Sequence, residues 1–251
     1  MELLNSIPAE MLGYAFVGGL LPPLVWLYFL LREDSRCPEP IPLLVIAFIA
    51  GMLAVPLALP LESLVRDYAY VFFDTCTPYA AICAPIIIGW SIIEEGLKYF
   101  LAAVLVLWRT DVNESVDFVI YMLTVALGFA ALENVLFLVV PFASGEVLTG
   151  LATGNLRFIG STLLHVMASS VIGFALAFSY LYARPIRELF GFAGLILAVG
   201  LHALFNFFII IGDGMNTLFA FLIVWIAAVV FFVLFEVLRY FRYRNLPKNV
   251  C

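Results

Sequence analysis

The sequence predicts an all-α membrane protein, a polytopic bundle of about seven transmembrane helices. Three observations carry that prediction. Hydrophobic residues make up 65% of the 251 positions and charged residues only 12%, whereas a soluble domain carries about 25% charge. The few charges gather between apolar stretches instead of alternating with them. Seven of those stretches reach the length of about 20 apolar residues that a spanning helix needs.

In chain order the predicted spans are 11–31, 42–61, 79–108, 117–140, 156–182, 188–211 and 216–240. The first is followed by Arg32 and Arg36, the third by Arg109, and the fifth by Arg184 and Arg187. The seventh ends near Arg239 and is followed by Arg242, Arg244 and Lys248, whereas the opposite side of the bundle holds only Arg66 and Arg157. The positive-inside rule then puts the C-terminus in the cytoplasm and the N-terminus outside. Between the second and third spans, Ser63 to Thr77 contains Arg66, Asp67 and Asp74 among aromatics. That segment is too short and too charged to span, so it reads as interfacial or re-entrant and able to gate substrate entry. An eighth span there is the alternative, but it would break the partition of basic residues.

No repeat, linker or low-complexity segment divides the chain, so residues 1–251 read as one integral-membrane domain. The stretch MELLNSIPAE lacks the positive start of a cleavable signal peptide. Cys37, Cys76, Cys83 and Cys251 form no CxxC or Cys/His spacing, which argues against a cysteine-built zinc site or a disulfide framework. The net charge of −6 comes mostly from acids in loops and in the candidate site, and no basic patch suggests nucleic acid.

Five polar residues stand inside the apolar spans: Glu94, Glu95, Glu133, His165 and His202, the last two being the only histidines. Ionisable groups at membrane depth are costly and are kept chiefly where they pair or do chemistry. Glu94 and Lys98 are four residues apart on one helical face, while Glu95 points about 100° away, so the two acids are not expected to share that lysine. Glu133-Asn134 follows a run of small residues from Gly128, which lets a neighbouring helix approach. Arg157, Ser161, His165, Ser169 and Gly173 form a ladder of four-residue steps on one face. His202 and Asn206 share a face, and an Asn one turn away can orient the ring or donate to an oxyanion. Counted along the helices, Glu133, His165 and His202 lie roughly 12–15 Å from the outer ends of their spans, with Glu94 and Glu95 somewhat deeper.

Such a set can run hydrolysis in two ways. A buried glutamate can take a proton from water, with imidazole and asparagine stabilising the oxyanion. Alternatively His165, His202 and Glu133 can hold one zinc ion with a position open for water. Three non-enzymatic readings compete: a haem protein ligated through His165 and His202, an ion- or proton-coupled carrier, and a catalytically dead scaffold that binds single-span proteins.

EEGLK at 94–98, GFAALEN at 128–134, the His165 span and HALFN at 202–206 together resemble the PrsW family of intramembrane proteases, within the group that holds the CAAX prenyl proteases and bacteriocin-processing enzymes. Ser161 stands where the prenyl-protease branch has the Phe of an FxxxH pattern, and Lys98 where it has Arg. The resemblance implies a catalytic core over 79–211 and a multi-pass protein of a bacterial or archaeal plasma membrane. It implies Glu94, Glu95, Glu133, His165 and His202 as catalytic residues, with Lys98, Asn134, Arg157 and Asn206 in support. It also implies a membrane-anchored protein substrate, such as an anti-sigma factor, cut on the extracytoplasmic side.

Overall fold

The computed structural model describes residues 9–33, 38–74, 76, 83–212 and 214–245. Of the residues singled out above, 1–8, Arg36, Cys37, Thr77, Lys248 and Cys251 lie outside these, as do 79–82 of the third predicted span. Among the described residues the chain forms α1 (Ala9–Glu33), α2 (Ile41–Phe72), α3 (Ala84–Ala102), α4 (Ser115–Ala143), α5 (Val147–Leu156), α6 (Thr162–Phe178), α7 (Arg184–Ile211) and α8 (Gly214–Asn245). A π-helical turn, Ala103–Leu107, extends α3, and another, Arg157–Ser161, joins α5 to α6 into one column. The result is a polytopic helical bundle of seven columns.

Six of these columns are long and apolar enough to cross a membrane. The exception is α3, whose middle holds Glu94, Glu95 and Lys98. Proline opens α2, α3 and α7 within their first two positions, where its missing N–H costs nothing. A reciprocal capping box between Glu114 and Asp117 starts α4, and Gly212 in the left-handed region ends α7.

The α4 helix is the axle of the bundle. Every residue from Val116 to Ala131 is buried, as expected of a helix that is apolar all round. It packs against α1, α2 and α6, while α3 lies between α2 and α7, and α8 covers α6 and α7. Leu, Phe and Val side chains exposed on the outer helices, such as Leu57, Phe192 and Val229, form the lipid-facing surface.

Two glycines let α2 and α4 cross backbone to backbone. A Cβ on Gly51 would strike the Val125 carbonyl, and one on Gly128 the Phe48 carbonyl. Gly128→Val is therefore expected to cost about 1–3 kcal/mol or more through forced separation of the helices. Thermal unfolding in detergent should show the loss, whereas Gly13→Ala, with nothing within 4 Å of the added carbon, should leave the midpoint unchanged.

Three expectations are corrected here. Ser63 to Phe72 is not an interfacial or re-entrant piece; it continues α2, which at 32 residues spans about 48 Å. Its charges are satisfied along the helix surface, with Arg66 donating to Ser63 at 2.9 Å and pairing with Asp67 at 3.2 Å, so nothing forces a break. The fifth span begins at Val147 rather than 156. Cys76 and Cys83, expected to be unpaired, form a disulfide with Cα atoms 5.1 Å apart, packed with Ala69, Ile86 and Trp90 at the α2–α3 end of the bundle.

Candidate active site

Four columns deliver the five predicted residues to one buried cluster. From α3, Glu95 is fully buried and uses both oxygens: Oε1 accepts from Lys98 Nζ at 2.6 Å and meets His202 Nδ1 at 2.9 Å, while Oε2 accepts from Ser169 Oγ at 2.9 Å. From α4, Glu133 Oε2 accepts from Arg157 Nη2 at 2.5 Å and meets His165 Nε2 at 2.8 Å. Arg157 also donates from Nε to Asn134 Oδ1 at 2.7 Å, and Asn134 in turn donates to Thr162 at 2.9 Å. The π turn that begins at Arg157 widens the helix two turns before His165, the kind of local irregularity that proteins keep at functional sites.

The lysine reverses the expected pairing. Lys98 Nζ binds Glu95, three residues back, and stands 3.9 Å from Glu94 Oε2. It also donates to His165 Nδ1 at 2.9 Å and rests 4.1 Å above the Phe129 ring. Its flexible stem reaches either acid, and His202 and Ser169 on other helices anchor Glu95 as its partner. Glu95 is thus the compensated carboxylate and Glu94 the available one.

The partners fix the tautomers. Lys98 can only donate, so His165 Nδ1 is an acceptor and Nε2–H donates to Glu133. Glu95 can only accept when ionised, so His202 Nδ1–H donates to it and the Nε2 lone pair is left. That lone pair lies 3.7 Å from Glu94 Oε2, and His165 Nδ1 lies 3.9 Å from the same oxygen. Glu94 Oε2 is buried with no hydrogen-bond partner. Glu94 Oε2 and the free Nε2 of His202 therefore face each other, with His165 Nδ1, which accepts from Lys98, beside them.

Convergent lone pairs fit a cation. Glu94, His165 and His202 form a group able to hold a metal ion, their donor atoms all within 4.8 Å of one another, whereas donors bound tetrahedrally to zinc at about 2.0–2.1 Å stand roughly 3.3 Å apart. Each imidazole presents a carboxylate on its other nitrogen, Glu133 behind His165 and Glu95 behind His202, the usual support of a metal-binding histidine. The carboxylate in this group is Glu94, not the expected Glu133, because Glu133 is drawn away by Arg157 and the far side of His165.

Asn206 sits on α7, partly buried, and makes no hydrogen bond among the described residues, so the His202 ring is oriented by Glu95 instead. Ser161 also stays outside the hydrogen-bonded cluster, while Ser169 is inside it. Sequence reasoning missed Thr162 and Glu62. The Glu62 carboxylate, on α2, lies within electrostatic reach of Lys98, His202, Glu133 and Glu94. Its signal was an acid at the very edge of an apolar stretch.

A bundle of apolar helices that gathers three glutamates and two histidines around one point, with Glu133 alone partly exposed, has the architecture of a polytopic membrane hydrolase. The model of the family described as PrsW family intramembrane metalloprotease matches residues 39–235. The chain belongs to that family and is a membrane protease. A protein named Protease PrsW from Clostridioides difficile (strain 630) is 24% identical over 197 residues, covering 78% of this chain and 79% of its own. Proteins of the same name from Shouchella clausii (strain KSM-K16) and Bacillus subtilis (strain 168) are 26% and 24% identical, covering 80% and 76% of this chain and 87% and 80% of theirs. No solved structure matches the chain. Family membership sets aside the haem-protein and carrier readings.

Proposed function

We propose that this protease is an endopeptidase that cuts a membrane-anchored protein in the outer half of the bilayer, with residues 79–211 as its catalytic core. The observation that carries the reading is the bare Glu94 oxygen 3.7 Å from the free Nε2 of His202 and 3.9 Å from His165 Nδ1. Glu94, His165 and His202 would hold the metal, zinc by the chemistry of the donor set, which when bound supplies Lewis acidity toward a carbonyl and activates water.

The chain's own groups do the rest. Glu95 and Glu133 fix the two rings, and Ser169 and Lys98 fix Glu95. The second oxygen of Glu133 makes no hydrogen bond among the described residues, and its side chain is 20% exposed. It is placed to take a proton from water and return it to the leaving amine. Arg157 and Asn134 hold that carboxylate in position.

Orientation follows the loop charges. With Arg32, Arg109, Arg184 and Arg187 in the cytoplasm, the N-terminus is outside, and Glu94, Glu133 and His202 lie about 15 Å from the outer ends of their helices, while His165, expected at roughly 12–15 Å, lies about 27 Å along its column because that column begins at Val147. That depth supports cleavage near the extracytoplasmic face of a bacterial or archaeal plasma membrane. An anti-sigma factor, the substrate class implied by the family resemblance, is the first one to try.

A second reading has its own observation: Lys98 already occupies the lone pair of His165 Nδ1. Without a metal, Glu94 itself would take the proton from water. Metal analysis of the purified chain, with cleavage of a single-span reporter before and after chelation, separates the two. About one zinc per chain is expected, lost together with cleavage in His202→Ala. Full activity after complete metal removal would leave the glutamate mechanism.

A further inference from the structure

The cluster contains one acid that the mechanism does not use. Glu62 lies on α2 where that helix meets α3 one turn before Glu94. Its backbone carbonyl accepts the Trp90 indole N–H at 3.0 Å, and Val65 packs into the space left by Gly89. The carboxylate is partly buried and makes no hydrogen bond or ion pair among the described residues. It nevertheless lies within electrostatic reach of Glu94, Glu133, His202 and Lys98.

The neighbouring cations are already committed. Lys98 is bound to Glu95, and Arg157 to Glu133. Glu94 Oε2 also lacks a hydrogen bond, but Lys98 and both imidazoles stand within 4 Å of it. That leaves Glu62 as a half-open carboxylate with no ion-pair partner of its own among the described residues, an arrangement that costs free energy until a cation arrives. An incoming lysine or arginine supplies one, and its long aliphatic stem suits the apolar approach along α2 and α3.

We propose that Glu62 is a specificity-determining residue that receives a basic side chain of the substrate close to the scissile bond. The inference rests on the protease reading above. A single-span reporter series carrying Lys, Ala or Glu at successive positions around the cut tests it. For the wild-type chain, kcat/KM for the best Lys reporter should exceed that of its Ala counterpart by roughly 10–100-fold. In Glu62→Gln that ratio should fall to about one, and in Glu62→Lys the Glu reporter should become the preferred one. Arg66→Gln, which changes an exposed charge one turn further along α2, should leave the ratio as in the wild type.

A Lys-to-Ala ratio near one in the wild-type chain, or one that survives Glu62→Gln, overturns the proposal while leaving the protease reading intact. So does an equal fall for every reporter in Glu62→Gln, which would make Glu62 part of the cluster's general electrostatics. Failure of the wild-type chain to cleave any reporter would instead overturn the protease reading, and this proposal with it.

Discussion

Glu94→Gln is expected to abolish reporter cleavage, with a loss of about 10³-fold or more, without unfolding the protein. The substitution keeps the shape of the side chain and removes the charge that both mechanisms need, whether Glu94 binds the metal or takes the proton itself. Because Glu94 Oε2 has no hydrogen-bond partner, neutralising it relieves a desolvated charge, so the unfolding temperature should stay level or rise. Glu95→Gln should behave differently. It loosens Lys98, His202 and Ser169 together, so stability falls and metal affinity drops by roughly 10–100-fold as the His202 ring loses its support. Thermal unfolding and zinc content measured on both variants distinguish them. Cleavage by Glu94→Gln within about tenfold of wild type would remove Glu94 from the reaction.

The largest effect on stability is expected from Lys98→Met. The Lys98–Glu95 pair is 2.6 Å long with both side chains fully buried, and removing one partner of such a pair costs about 3–5 kcal/mol because the other charge is stranded. That is a large share of a typical stability of about 5–15 kcal/mol. The variant should be recovered in low yield, with a much lower unfolding temperature. Adding Glu95→Gln to Lys98→Met should restore much of the loss, since the stranded charge is then gone. A single variant as stable as wild type would show that the pair contributes little.

The helical columns were legible because the bilayer sets a minimum length for a span, and the charges between the spans marked most of their ends. The charged run after Pro60 misled because Arg66, Asp67 and Ser63 look like an interruption when read as a list. On a helix they are neighbours that satisfy one another. Glu94, Glu95, Glu133, His165 and His202 could be picked out as polar residues in apolar runs. Which acid Lys98 would choose could not, because Glu94 and Glu95 are equally accessible to it by helix geometry and the choice is made by His202 and Ser169 from distant segments. The same holds for the geometry around the imidazoles, where Arg157 holds Glu133 and Glu94 is the acid that lies beside both rings. The Cys76–Cys83 disulfide has a spacing shared by no metal motif, so nothing in the chain announced it.

The three charges in the middle of α3 also bear on how the protein is made. Each charged residue at the centre of a helix adds about 2.5–3.5 kcal/mol to its insertion from the translocon. The Glu95–Lys98 pair, only three residues apart, can offset part of this as soon as the helix emerges. The other partners of Glu95 come much later, Ser169 after 74 residues and His202 after 107. At about 5–20 residues per second, α3 waits roughly 5–20 s for its last neighbour. During that interval it is a charged helix beside lipid, the kind of segment that membrane chaperones hold and quality-control proteases remove. The polar centre therefore governs how many molecules survive synthesis as well as how fast each one works.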